Sequence, residues 1–172
     1  MNLKKSKING YYHPKDPGEP GTGEKRLSVS DLEAQFLAEF AYLKIVLEIG
    51  TGLGVATRTM AKTASQVHTV DVDPWVAGTV ELPDNVVFHR SLEVLSESLS
   101  QANFFDMAFV DGSHATEDVI RDIGFCKKAV KPHGLILFHD INMDSVIDGI
   151  VESGLTVYEL KFGAGIGLAW ND

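Results

Sequence analysis

Short apolar runs without polar alternation recur along this chain, separated by segments of helical periodicity, and that alternation constrains the fold more than any other feature. Ile45–Ile49, Val67–Asp71, Val86–His89, Met107–Asp111 and Leu135–His139 read as strands. The early ones lack a polar face, as strands covered on both sides do. Helical signals fill the gaps at Val55–Ala64, Leu92–Gln101, Thr116–Val130 and Ser145–Glu152, the third closed by Lys131-Pro132-His133-Gly134 and the fourth by Ser153-Gly154. Upstream, Ser30 and Glu33 have capping-box spacing, and Leu32, Phe36, Leu37 and Phe40 form an apolar stripe, which predicts a helix running to about Tyr42. Strands alternating with helices imply an α/β fold built on a mostly parallel sheet. Two last strands, Leu155–Leu160 and Ile166–Trp170, are joined by Phe162-Gly163-Ala164-Gly165, too short for a helical crossover, so they pair antiparallel.

The 172 residues suit one domain rather than two, and 44% hydrophobic content is enough for a substantial core. The net charge of -9 argues against a nucleic-acid partner, because affinity for a phosphate backbone rests on Lys and Arg. Cys126 is the single cysteine and reads as a core thiol; with no intrachain disulfide and no long apolar run, the expected location is the cytoplasm, with no membrane span. Residues 1–30 differ from the rest: six Lys and Arg stand against three acids, and seven of the fourteen residues from Gly10 to Gly23 are Gly or Pro. We read this segment as a flexible leader or as a lid carrying Tyr11, Tyr12 and His13, ahead of a domain at 31–172.

The strongest motif is Glu48-Ile49-Gly50-Thr51-Gly52-Leu53-Gly54, placed between a buried strand and a helix. Glycines there let the backbone turn sharply and approach a ligand. A dinucleotide fingerprint would need a glycine at position 55, where this chain has Val55. The acid-x-Gly-x-Gly-x-Gly form resembles motif I of the class I S-adenosylmethionine-dependent methyltransferases. About 20 residues on, Asp71 ends the second strand, where an acid accepts hydrogen bonds from ribose hydroxyls; Asp73, before Pro74, reads as the start of a turn. After the third strand, Arg90-Ser91-Leu92-Glu93 resembles the segment that borders the adenine in this family, although many members carry an acid where Arg90 stands. The resemblance implies cofactor contacts from Glu48, Gly50, Thr51, Gly52, Gly54, Asp71, Val72, Arg90, Ser91 and Asp111. It also implies a doubly wound, Rossmann-like seven-stranded sheet of order 3-2-1-4-5-7-6, with strand 7 antiparallel.

The fourth and fifth strands end in Asp111-Gly112-Ser113-His114 and His139-Asp140-Ile141-Asn142. Acids at the carboxyl ends of neighbouring strands lie where open α/β sheets bind ligands, and their oxygens suit Mg²⁺; His139 would shift the preference toward Mn²⁺, Fe²⁺ or Zn²⁺. The pair of segments resembles the small metal-dependent O-methyltransferases of the macrolide-sugar and catechol types over roughly residues 40 to 172. By that resemblance Asp111 and Asp140 match metal-binding acids and His114 occupies the position of the base. Ile141 stands where the family carries Asn, which leaves His139 or Asn142 as the third metal ligand. His13, His68, His89 and His133 have no comparable sequence partners and read as structural or surface residues. The stretch from Asp73 to Asn85 is too short for a full second crossover helix.

The function expected is methyl transfer from S-adenosylmethionine to a hydroxyl of a small molecule, assisted by a divalent cation such as Mg²⁺, with His114 as general base. Specificity would come from residues 1–30, the Trp75 loop, the loop after Asp140 or a partner subunit, and a homo-oligomer stays open. The alternatives are a non-catalytic S-adenosylmethionine-binding subunit and a metal-dependent hydrolase or oxygenase on the same sheet. Amino-methylating nucleic-acid enzymes, which carry Asn/Asp-Pro-Pro-aromatic after strand four, and cytosine-C5 enzymes, which need Pro-Cys, do not match.

Overall fold

The computed structural model describes residues 29–99 and 102–172. The leader or lid expected over residues 1–30 therefore lies outside the described residues, apart from Val29 and Ser30. In chain order the elements are α1 (Asp31–Ala41), β1 (Ile45–Ile49), α2 (Val55–Ala61), β2 (Gln66–Val70), α3 (Pro74–Thr79), β3 (Val86–His89), α4 (Leu92–Ser98), β4 (Phe105–Val110), α5 (Thr116–Ala129), β5 (Val130–Phe138), α6 (Asp144–Glu152), β6 (Tyr158–Leu160) and β7 (Ile166–Trp170). The strands form one sheet of order β3-β2-β1-β4-β5-β7-β6. β1 to β5 pair in parallel, and β7 runs antiparallel between β5 and β6.

Period-two alternation sends successive strand residues to opposite faces. Ala108, Val110, Ile136 and Phe138 pack with Ile123 and Cys126 of α5 and Val146 and Ile150 of α6. Met107, Phe109, Leu135 and Leu137 pack on the other face with Leu37 and Ala41 of α1 and Met60 of α2. Both layers are closed to bulk solvent at their centres, where Phe109, Leu137, Ile136 and Ile123 are fully buried. Cys126 is part of this core, and burial pushes its thiol pKa up.

Three local features differ from the sequence reading. Asp73 does more than start a turn: its side chain accepts from the Trp75 amide and, with Pro74 at the first helical position, caps a six-residue helix, α3, in the shortened second crossover. Lys131-Pro132-His133-Gly134 does not close α5 from outside but bulges out of β5: Phe105 pairs with Val130 and then Met107 with Leu135. His133 adopts a left-handed φ of 61° there, and the Lys131 ammonium pairs with Asp106 at 2.6 Å. The sixth strand begins at Tyr158 rather than at Leu155. Among the described residues no helix is long and apolar enough to cross a membrane.

Candidate active site

Ser30 caps α1 and forms the complete capping box with Glu33, but the Glu33 carboxylate does more than cap. Its Oε2 accepts from the Ser30 amide and hydroxyl, each at 2.7 Å, and its Oε1 accepts from the Ala164 amide at 2.7 Å. The same Oε1 lies 3.3 Å from His139 Nε2 at the end of β5. Nothing in the local pattern around Glu33 separates this role from capping, so sequence reasoning missed it.

The glycine loop after β1 is shaped by a close crossing. Gly50 has φ 98°, and a Cβ on it would lie 2.0 Å from the Asp111 carbonyl oxygen, so the β1 and β4 loops approach one another only because position 50 has no side chain. Asp71 fastens the same loop from β2: its Oδ2 accepts from the Thr51 and Gly52 amides at 3.0 and 2.9 Å, and its Oδ1 from the Asp73 amide at 2.9 Å. Glu48 is completely buried beneath the loop and does not line the cleft. Its Oε2 accepts from the Thr57 and Thr69 hydroxyls, both at 2.6 Å, and Thr69 is bonded to Thr51 at 2.6 Å. Burial pushes the Glu48 pKa up to about 8 despite those hydroxyls. Any effect of Glu48 on a ligand therefore passes through the threonines.

A cleft of about 800 Å³ opens along the carboxyl ends of the strands. Gly50, Thr51, Gly52, Asp71, Val72, Ser91, Asp111, His114, His139 and Asp140 all line it. Gly54 sits just outside, in a left-handed conformation at the start of α2. Arg90 is exposed and stands outside the cleft, to which its neighbours Ser91, Leu92 and Glu93 contribute instead. The alternation along the end of β3 accounts for this: His89 turns inward and Arg90 outward. Ser91 is partly engaged in capping α4 through the Val94 amide. Val29 and the exposed Trp75 also reach the cleft.

At one end of the cleft Asp111, His139 and Asp140 meet, each offering a ligand atom within 4.8 Å of the others. His139 Nδ1 lies 3.2 Å from Asp111 Oδ1 and 3.1 Å from Asp140 Oδ2. The imidazole is 7% exposed, and neither ring nitrogen makes a well-directed hydrogen bond among the described residues. Its charged contacts are close in distance yet poorly aligned. Burial opposes charge on this ring, but Asp111, Asp140 and Glu33 outweigh it and push its pKa up to about 12. The Glu33 pKa falls to about 2, with contacts to His139 and Ser30 overcoming its burial, and Asp140 is likewise held below the ordinary carboxylate range against its burial by His139 and His114. His114, half-exposed, places Nε2 3.0 Å from Asp140 Oδ2. Of the two residues expected to replace the missing Asn, His139 meets both acids, and Asn142 is exposed and absent from the cleft lining.

A buried imidazole with a misaligned nitrogen facing two carboxylates is a donor set that fits a divalent cation: two hard oxygens and one nitrogen. A sequence profile described as a methyltransferase domain matches residues 47–141, the span from the glycine loop through His139 and Asp140. The chain belongs to this methyltransferase domain family. No curated protein matches it. Solved structures share the methyltransferase fold at low identity. A candidate O-methyltransferase from Klebsiella pneumoniae is 23% identical with a TM-score of 0.70, over 86% of this chain and 83% of that one. The O-methyltransferase from Bacillus cereus, in complex with SAH, is 19% identical with a TM-score of 0.68, over 85% and 83% of the two chains. The O-methyltransferase TomG from Streptomyces achromogenes, involved in tomaymycin synthesis and in complex with SAM, is 20% identical with a TM-score of 0.66, over 84% and 81%.

Proposed function

We propose that this methyltransferase transfers a methyl group from S-adenosylmethionine to a hydroxyl of a small molecule with the help of a divalent cation. The observation that carries the reading is a single cleft that joins the glycine loop and Asp71 to the Asp111–His139–Asp140 cluster and His114. S-adenosylmethionine supplies an electrophilic methyl, and a cation at the cluster would lower the pKa of an acceptor hydroxyl. The chain's own residues do the rest. Asp71, already fixed by three backbone amides, keeps acceptor capacity on Oδ1 for ribose hydroxyls, and the Gly50–Gly52 backbone borders the methionine part. His114 Nε2 lies 3.0 Å from Asp140 Oδ2, and with that nitrogen donating to Asp140 the ring would take the hydroxyl proton on Nδ1. Cleft and cluster share one wall, so acceptor and cofactor would meet with little loss of orientation.

The fold neighbours described as O-methyltransferases, one with SAH and one with SAM, support the choice of cofactor and of oxygen as acceptor. Calorimetry with S-adenosylmethionine and S-adenosylhomocysteine, with and without Mg²⁺ or Mn²⁺, followed by a screen of hydroxyl acceptors, tests the reading. The His114→Ala variant is expected to lower turnover by about 10²–10⁴-fold at near-neutral pH, with cofactor affinity unchanged. Wild-type turnover by this variant across the pH range would return His114 to a surface role, and methylation that survives exhaustive chelation would remove the cation.

A further inference from the structure

Glu33 lies outside the span matched to the family, on α1, yet its carboxylate reaches the far side of the cation cluster. It is buried, and among the described residues each polar group within hydrogen-bonding distance of its carboxylate is a donor. The Ser30 amide and hydroxyl occupy Oε2, the Ala164 amide occupies Oε1, and His139 Nε2 faces that same Oε1. The β6–β7 loop makes room for it with a glycine, since a Cβ on Gly163 would fall 2.0 Å from Glu33 Oε1. A carboxylate pinned by three donors only accepts, so the ring nitrogen facing it at 3.3 Å carries hydrogen whether the ring is charged or neutral. The other nitrogen, Nδ1, then points between Asp111 and Asp140, which are acceptors too. Two carboxylates facing Nδ1 call for positive charge between them, which a proton on Nδ1 supplies in the free protein and a divalent cation would supply in its place.

We propose that Glu33 is a positioning residue for the cation site, holding His139 in the Nε2–H form so that Nδ1, Asp111 and Asp140 together ligate a divalent metal ion. This rests on the cation-assisted reading above. It makes Glu33 the outer carboxylate of a carboxylate–histidine–metal arrangement, in which the outer partner sets the ring's tautomer and orientation. The binding step is ligand exchange alone: bound water leaves the cation, and the Nδ1 proton of any charged imidazole is released to solvent.

The test is Mn²⁺ titration followed by electron paramagnetic resonance, applied to wild type, Glu33→Gln and Ser30→Ala. An amide at position 33 turns an NH₂ toward donors and loses its hold on the ring, so Glu33→Gln should weaken Mn²⁺ binding about 10–100-fold. Ser30→Ala removes the cap hydroxyl but leaves the ring contact, so it should lower the melting temperature while Mn²⁺ affinity stays within about threefold of wild type. A second readout needs no variant. Nitrogen-15 spectra of the histidine rings in wild type with saturating Zn²⁺ should show His139 protonated at Nε2 and metal-shifted at Nδ1. Equal Mn²⁺ affinity in wild type and Glu33→Gln, or metal at Nε2, overturns the role of Glu33 and leaves the cation reading standing. A wild type that binds no Mn²⁺ overturns both, because the gap beside Nδ1 then holds only a proton.

Discussion

At the scale of single residues, the site is built from groups whose surroundings leave them few alternatives. Gly50 is required by the approach of the Asp111 carbonyl, and Glu33 and Asp71 are acceptors pinned by amides. The acids and glycines of the motifs were legible because each is a local signal: a glycine between a strand and a helix, an acid where an apolar run stops. Arg90 was legible as a residue but not as a direction, since it follows the last residue of β3 and nothing local says which of His89 and Arg90 turns inward. Asp71 carries the clearest single-residue prediction. If Asp71 holds a ribose as proposed, removing its carboxylate in Asp71→Ala should cost about 1.5–3 kcal/mol, or roughly 10–150-fold in the Kd for S-adenosylhomocysteine. Calorimetry on a variant shown to be folded by circular dichroism checks it, and unchanged affinity would mean that Asp71 serves only to hold the glycine loop.

Between elements, contacts appear that neither partner announces alone. His68 on β2 and His89 at the end of β3 are buried side by side, with Nδ1 of the first 3.1 Å from Nε2 of the second and rings stacked at 5.2 Å, and Phe104 and Phe105 pack edge-on against His68. Sequence reading placed both histidines among structural or surface residues without pairing them, because pairing depends on the register Val70↔His89 and His68↔Val87. Burial and the neighbouring imidazole lower the His68 pKa to about 4, and burial lowers that of His89. A histidine whose folded pKa lies below its unfolded one takes up its proton on unfolding. The pair therefore contributes its full stability above about pH 6.5 and loses it as pH falls toward about 4. In urea titrations, wild type should lose about 2 kcal/mol more than His68→Gln between pH 7 and pH 4.5, a figure reduced for partial solvent access. Parallel pH profiles for the two proteins would show that the pair is not a source of acid sensitivity.

For the whole molecule, the decisive feature is that the last strand in the chain is not the last in the sheet. β7 lies between β5 and β6, with Ile166 and Ala169 fully buried, so the C-terminal residues close the sheet beside the cluster at the end of β5. Deleting residues 166–172 should expose the edge of β5, strand β6 and abolish the cooperative thermal transition, as read by circular dichroism and gel filtration. A truncated chain that still melts sharply would show that the five parallel strands fold without it. The sequence alone determined the succession of strands and helices, the α1 capping box, the glycine loop and the closing hairpin. Each of these rests on periodicity, capping or turn chemistry acting over a few residues. Strand order came from family likeness, not from such local signals. Only the tertiary structure decided that Glu33 meets His139, that His68 meets His89, that Lys131–Gly134 bulges and that Arg90 turns away. Those outcomes depend on strand order and register, which bring distant segments within ångströms of each other and which no local pattern encodes.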